Sequence, residues 1–172
     1  KTAETVQAVV RGIPPAGFYA GQMVPLTKVA GNTSVTAIGD WSGVSTFMGI
    51  QYTHTYTFSE IVLRTTAGSG GERAVTGGRL QVRRLNIVFD RTGYFRVEVT
   101  PDNGDTYTYH QTPKILGVYP IASLELQTGE LRVPVLAQSS KVTINIVNDS
   151  PYPSHILSAS WLGEFIRLGR SA

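Results

Sequence analysis

Apolar and polar positions alternate in twos along most of this chain. In MGIQYTHTYTFSEIVLR, residues 48 to 64, Tyr52, His54, Tyr56 and Phe58 share one face of an extended strand, and Gln51, Thr53, Thr55 and Thr57 share the other. The same period predicts strands over 50–64, 79–89, 94–100, 105–111, 130–136, 141–147 and 155–165, with weaker ones near 5–11 and 33–38. Helical spacing is poor throughout, and 18 glycines and 9 prolines punctuate the chain. The fold class that follows is all-β: an antiparallel β-sandwich or jelly-roll-like domain.

Turn chemistry adds detail. Thr92-Gly93 and Asn103-Gly104 separate apolar runs and accept the positive φ of tight turns, so residues 79–111 read as a three-stranded meander. In its middle strand Phe95, Val97 and Val99 face a core, while Tyr94, Arg96 and Glu98 face away. Two strands change parity, one at Arg83-Arg84 and one at Ser59-Glu60. A β-bulge explains each slip, and so does a strand that exchanges partner sheets. Pro134 removes a ladder donor and places its strand at a sheet edge or a bulge. GIPPAGFYAGQMVPLTKVAGN has the composition of an extended, proline-stiffened arm, which divides the chain into an arm or linker over 1–40 and a sandwich over 41–172. AGSGGERAVTGG, residues 67–78, reads as a mobile glycine-rich loop.

Composition narrows the function. The chain has 172 residues, long enough to bury a core without disulfide or metal, and no cysteine, which removes thiolate zinc sites and cysteine nucleophiles and fits synthesis in a reducing cytoplasm. It contains neither an apolar run of membrane-spanning length nor a recognisable leader, and its start at Lys1 suggests a piece of a longer polypeptide. Net charge is only +3, yet arginine outnumbers lysine eleven to four and seven arginines lie between Arg64 and Arg96. Arginine suits ordered interfaces because its planar fork holds carboxylate or phosphate bidentately, although a solvated sheet face has the same composition. His54, His110 and His155 sit on separate strands or turns, the carboxylates are scattered singly, and neither a GxSxG elbow nor a phosphate-binding loop occurs. The sequence offers no residues for an enzyme, a cofactor, a metal site or a small-molecule substrate. The candidate functional residues are therefore interface residues: Tyr52, Tyr56 and Phe58 of the aromatic row, and Arg79, Arg83, Arg84 and Arg96. The aromatic row is a packing seam, against this domain's core or another chain.

Four stretches in order, GIQYTHTYTFS, GRLQVRRLNIVFDRTGYFRVEVT, GELRVPV and NDSPYPSHILSASWLGEF, resemble the C-terminal region of tail tubular protein B, the tail nozzle of short-tailed bacteriophages. The likeness runs from about Met48 to Phe165 and is most specific at Thr92 to Val97, at Pro151-Tyr152-Pro153 and at Ser158 to Trp161. It implies a structural protein of the virion, made in the bacterial host cytoplasm, whose copies form a six-fold ring around a channel for DNA. Its implied partners are other copies of itself, tail adaptor and fibre proteins, with weak DNA contact and no catalytic residues. Relatives end in an aromatic followed by an arginine-rich tail, whereas here Phe165 is followed by only Arg167 and Arg170. The alternative reading is a carbohydrate- or receptor-binding β-sandwich in which Trp41, Trp161 or exposed tyrosines stack on sugars.

Overall fold

A computed structural model of the protein describes residues 6–11, 15–28, 34–66, 68, 70–75, 77–112 and 126–167. Within the described residues fourteen strands follow one another: β1 (Val6–Val10), β2 (Met23–Val24), β3 (Leu26–Lys28), β4 (Val35–Ala37), β5 (Thr46–Ile50), β6 (His54–Thr57), β7 (Arg64–Thr66), β8 (Glu72–Ala74), β9 (Gly78–Thr92), β10 (Phe95–Pro101), β11 (Tyr107–Gln111), β12 (Gln127–Gln138), β13 (Val142–Asn148) and β14 (Ile156–Arg167). A single 3₁₀ turn, Ser139–Lys141, joins β12 to β13, and the described residues contain no α-helix. The protein is an all-β, antiparallel sandwich, as the two-residue period predicts.

Two sheets make the sandwich. One has the order β12-β9-β14 and the other β11-β10-β13-β6, every ladder being antiparallel. Their facing side chains form the main core: Leu80, Val82, Leu85, Ile87 and Phe89 of β9 with Val133 and Val135 of β12, against Phe95, Val97 and Val99 of β10 with Ile144 and Ile146 of β13. Phe89 and Phe95 meet edge to face at 5.5 Å between centroids, the arrangement the ring quadrupoles favour.

The expected meander is half right. β10 and β11 pair through the Asn103-Gly104 turn, but β9 belongs to the opposite sheet, so the chain crosses between layers at Thr92-Gly93 instead of folding back as a hairpin. Long-range bonds hold that crossing. The buried Thr92 hydroxyl accepts the His155 N–H at 3.0 Å and lies within donating distance of the Asp90 and His155 carbonyls, while the Gly93 N–H donates to Pro153 O at 2.8 Å.

The slip at Arg83-Arg84 is a bulge. Leu162 pairs with Arg84 and Gly163 with Val82, leaving Arg83 as the additional residue, and the β12 ladder is irregular at the same level, between Pro134 and Ala137. Pro134 accordingly lies on an outer strand and beside an irregularity. The slip at Ser59-Glu60 is not a bulge, and the strand expected over 50–64 is not continuous. β5 pairs with β1 in one sheet, β6 with β13 in another, and after Thr57 the chain leaves the ladder so that both Phe58 and Ile61 reach the core.

Over the span expected to be an extended arm, the described residues carry β1 to β4. β1 lies between β2 and β5, and β3 pairs with β4. Ala8, Val10 and Val24 form a small second cluster with Leu26, Trp41 and Val44. Pro25 separates β2 from β3 because it cannot donate to a ladder, which keeps both strands short. In the segment expected to be a glycine-rich loop, β8 returns on β7 as a short hairpin; residues 67, 69 and 76 lie outside the described set.

Candidate assembly surface

The register of β6 decides what the aromatic row does. Tyr56 lies opposite Ile146, whose side chain is in the core, so Tyr56 and its row companions His54 and Phe58 point to the inner face. But β6 is an edge strand, and the facing sheet covers only part of it. Phe58 packs on the core and donates its N–H to Ile144 O at 2.9 Å, with Tyr56 edge-on to its ring at 5.2 Å. Tyr56 remains more than half exposed, and Tyr52, beyond the strand, is 77% exposed. On the opposite face the Thr57 hydroxyl donates to Asn145 Oδ1 at 2.8 Å.

Tyr52 lines a cleft of about 480 Å3. Its floor is the outer face of the β1–β5 pair, with Gln7, Val9 and Phe47, and its wall is the Ser150-Pro151-Tyr152-Pro153 turn. Asn148 builds that wall: its side-chain amide donates to Tyr152 O and Ser154 Oγ, and its oxygen accepts from the backbone N–H and hydroxyl of Ser150. The wall is tied to the small sheet by the Tyr152 hydroxyl, which donates to Gly21 O at 3.0 Å, and by Gln51 Nε2, which donates to Asp149 O at 2.8 Å. Burial raises the Tyr152 phenol above its ordinary value, which keeps it protonated as a donor. At the rim the Arg11 guanidinium lies over the Phe47 ring, 4.8 Å from its centroid.

The structure disperses the arginines. Arg96, on the outer face of β10, is held by Glu98 at 2.8 Å and by Asp149, and these hydrogen bonds, with one to Tyr94, raise its pKa. Tyr94 in turn meets His110 Nδ1 at 3.2 Å. Arg83 pairs with Glu164 across the β9–β14 ladder at 2.8 Å, both side chains being largely exposed. Arg79 is exposed and makes no ion pair among the described residues. Arg84 is half-buried, and its Nε, like Asn86 Oδ1 nearby on the same strand, is enclosed without a hydrogen-bond partner in the described structure. The seven candidates therefore do not converge. Tyr52 and Tyr56 are exposed, Phe58 belongs to the core, and Arg83 and Arg96 are already neutralised.

The Arg96–Asp149 pair carries a pH prediction. The hydrogen bond from Arg96 holds the Asp149 carboxyl below its ordinary value. A depressed folded-state pKa adds stability above the unfolded carboxylate value near 3.9, and that stability is lost as pH falls through the lower folded value. Asp149→Asn should lower the melting temperature at neutral pH, and the gap from the parent should close as pH falls through the lowered folded-state value, where the parent carboxyl is protonated too. Thermal melts across a pH series check this; a gap independent of pH would mean that the ion pair is not its source.

Chemistry other than recognition finds no assembled site. Among the described residues no group of three or more His, Asp or Glu side chains is placed to hold a metal, and the three histidines stay apart on β6, β11 and the approach to β14. Among the described residues no helix is long and apolar enough to cross a membrane. Trp41 is half-buried against Phe18, its indole N–H donating to Ile38 O at 2.8 Å, whereas Trp161 sits on β14 and is 38% exposed.

Further apolar exposure lies outside the seven sequence-predicted residues. Phe47, Met48 and Ile50 of β5, and Leu157, Leu162 and Ile166 of β14, are all more than half exposed. The available signal was charge: no Asp, Glu, Lys or Arg occurs between Asp40 and Glu60, nor between Asp149 and Glu164. Such long uncharged runs of strand-forming residues are unusual on a surface facing water.

The family model described as bacteriophage nozzle protein matches residues 2–172. Tail tubular protein gp12 of Escherichia phage T7 is 28% identical over 131 residues, which cover 75% of this chain and 16% of that protein's length. With nearly its whole length matched by that family model, the chain belongs to the bacteriophage nozzle protein family.

Proposed function

We propose that this chain is a structural module of a phage tail, part of the wall of the tube through which DNA leaves the virion. It acts by binding other copies of itself in a ring, six-fold by resemblance, and by contacting adaptor and fibre proteins above and below. The observation that carries this reading is the family match over 2–172, taken with the exposed apolar surface of β5 and β14. Tyr52 and Tyr56 lie in or beside that surface and serve as contacts. The arginines serve mainly as internal ties, which suits a conduit: a wall that held phosphates tightly would hinder the passing genome. A sugar-binding reading has less support, because Trp41 is packed against Phe18 and Trp161 stands on a different sheet, so the two form no common stacking platform.

The test is analytical ultracentrifugation and electron microscopy of the full chain, with DNA retention measured over a salt series. The expected result is concentration-dependent assembly into closed rings, no turnover of substrate, and DNA retention that is weak and vanishes as salt rises. A chain that stays monomeric at high concentration and is absent from purified virions would overturn the reading.

A further inference from the structure

An exposed sheet edge is a template for another strand, and proteins guard such edges with charge, proline, bulges or shortness. Most edges here are guarded. β2 is two residues long and followed by Pro25. β12 carries Pro134, an irregular ladder, Leu136 at a φ of +50°, and the charges of Glu130 and Arg132. The β7–β8 hairpin bears Arg64, Glu72 and Arg73, and on β11 Tyr109 packs on the core while His110 is bonded to Tyr94. β3, β4 and β6 are four residues long or shorter. Among the described residues, two longer edges lack such protection. β5 is wholly uncharged and exposed along its length, and β14 is uncharged from Ile156 to Gly163.

We infer that these two edges bind each other between neighbouring copies: the β14 edge of one chain adds antiparallel to the β5 edge of the next, with Trp161 laid over Gly49. The inference rests on the ring-forming reading above and names the contact that closes the ring.

Side-chain size supports this register. Ser158, Ala159 and Ser160 then face Tyr52, Gln51 and Ile50, small against large, while Trp161, the largest side chain on β14, faces Gly49. A Cβ built on Gly49 would meet nothing within 4 Å, so the space an indole needs is open, and an aromatic laid across an edge glycine is a known way to pin register. Gly49 shares its face with Gln7 and Phe47, the floor of the cleft, so the indole enters that cleft. On the other face Leu162 meets Met48, both more than half exposed in the single chain. A parallel alignment would place Tyr52 opposite Glu164, and all ladders of the described residues are antiparallel.

Area also fits. Phe47, Met48, Ile50 and Tyr52 leave between 56% and 77% of their surface exposed, which at roughly 200 Å2 per large side chain is about 500 Å2 of mainly apolar area. Interfaces are about 60% apolar, so this matches the roughly 800 Å2 per partner of a standard stable contact. A second copy is the occupant because each chain offers one edge of each kind. A heterologous ring covers both on every subunit, whereas a two-fold dimer through either edge leaves the other bare.

Because the chain has no cysteine, single thiols can report the contact. Full chains carrying Ile50→Cys and Ser160→Cys separately should form a disulfide dimer when mixed and oxidised, neither variant should cross-link alone, and the double variant should give a covalent ladder up to the ring. Trp161→Lys should weaken assembly on the order of thirtyfold or more, as for an aromatic anchor, with the circular dichroism and melting of the monomer unchanged. Rings that form without the mixed link, a Ser160→Cys chain that links to itself, a preferred link to Met48→Cys, or a Trp161→Lys monomer that melts early would each overturn this contact while leaving self-assembly standing. Absence of rings from the parent chain would instead remove the proposed function and this contact together.

Discussion

Phe95→Ala should destabilise the protein by about 3–5 kcal/mol, the range for deleting a buried aromatic that cannot be replaced by collapse of its surroundings. Phe95 is fully buried, sits where the chain has just crossed from one sheet to the other, and meets Phe89 edge to face across the layers. Alanine would remove the ring from both sheets at once, so the cavity would lie between rigid ladders with little freedom to close. Against a total stability of roughly 5–15 kcal/mol, that loss consumes much of the margin. Urea titration should show the midpoint falling sharply, with Phe95→Leu losing far less because its volume is better conserved. Equal losses for the two variants would mean that the ring's shape, and not the cavity, governs the site.

Gly163→Val should release β14 from its neighbour. A Cβ at Gly163 would lie 2.6 Å from Gln81 O and 3.3 Å from Val82 Cα, both backbone atoms of β9 that no rotamer change can move. The close approach exists because the bulge at Arg83 draws the two backbones together opposite Gly163. Any larger residue must push the strands apart over several ladder bonds, at a cost of about 3 kcal/mol or more by the scale of overpacked cores. For a chain of this size that corresponds to a melting temperature lower by roughly 6–12 °C. Gly71→Val is the control, since a Cβ there meets nothing within 4 Å and its φ is ordinary. If Gly163→Val melted like the control, the bulge would not depend on glycine. Hydrogen exchange adds resolution: protection should be lost along β14 first.

How much of this was legible beforehand depends on which physical signal each element carries. The alternation of Phe95, Val97 and Val99 determines a core face wherever the strand is placed, and the parity slip at Arg83-Arg84 corresponds to a real bulge. Pro134 marked an edge because a missing N–H has the same consequence in any fold. The layer to which β9 belongs was not legible. A Thr-Gly turn is compatible with a hairpin, and what decides against one is the Thr92 hydroxyl bonding to His155, 63 residues away. The short strands β2, β3, β7 and β8 have too few residues to show a period. At the candidate surface, Phe58 packs on the core as its parity implies, but burial of Tyr56 and Tyr52 depends on how far the opposite sheet extends, which local sequence does not encode. Arginine enrichment was visible; that Arg83 and Arg96 spend their charge on Glu164, Glu98 and Asp149 was not.

The order β12-β9-β14 has a consequence during synthesis. Both strands that flank β9 lie after it in the chain, so a ribosome extends β9 well before either neighbour exists. At about 5–20 residues per second the nascent chain carries this apolar strand unpaired for several seconds until the last strand emerges. Completion of this sheet therefore waits until β14 has been made, and in that interval β9 is an extended apolar segment whose edges are both open.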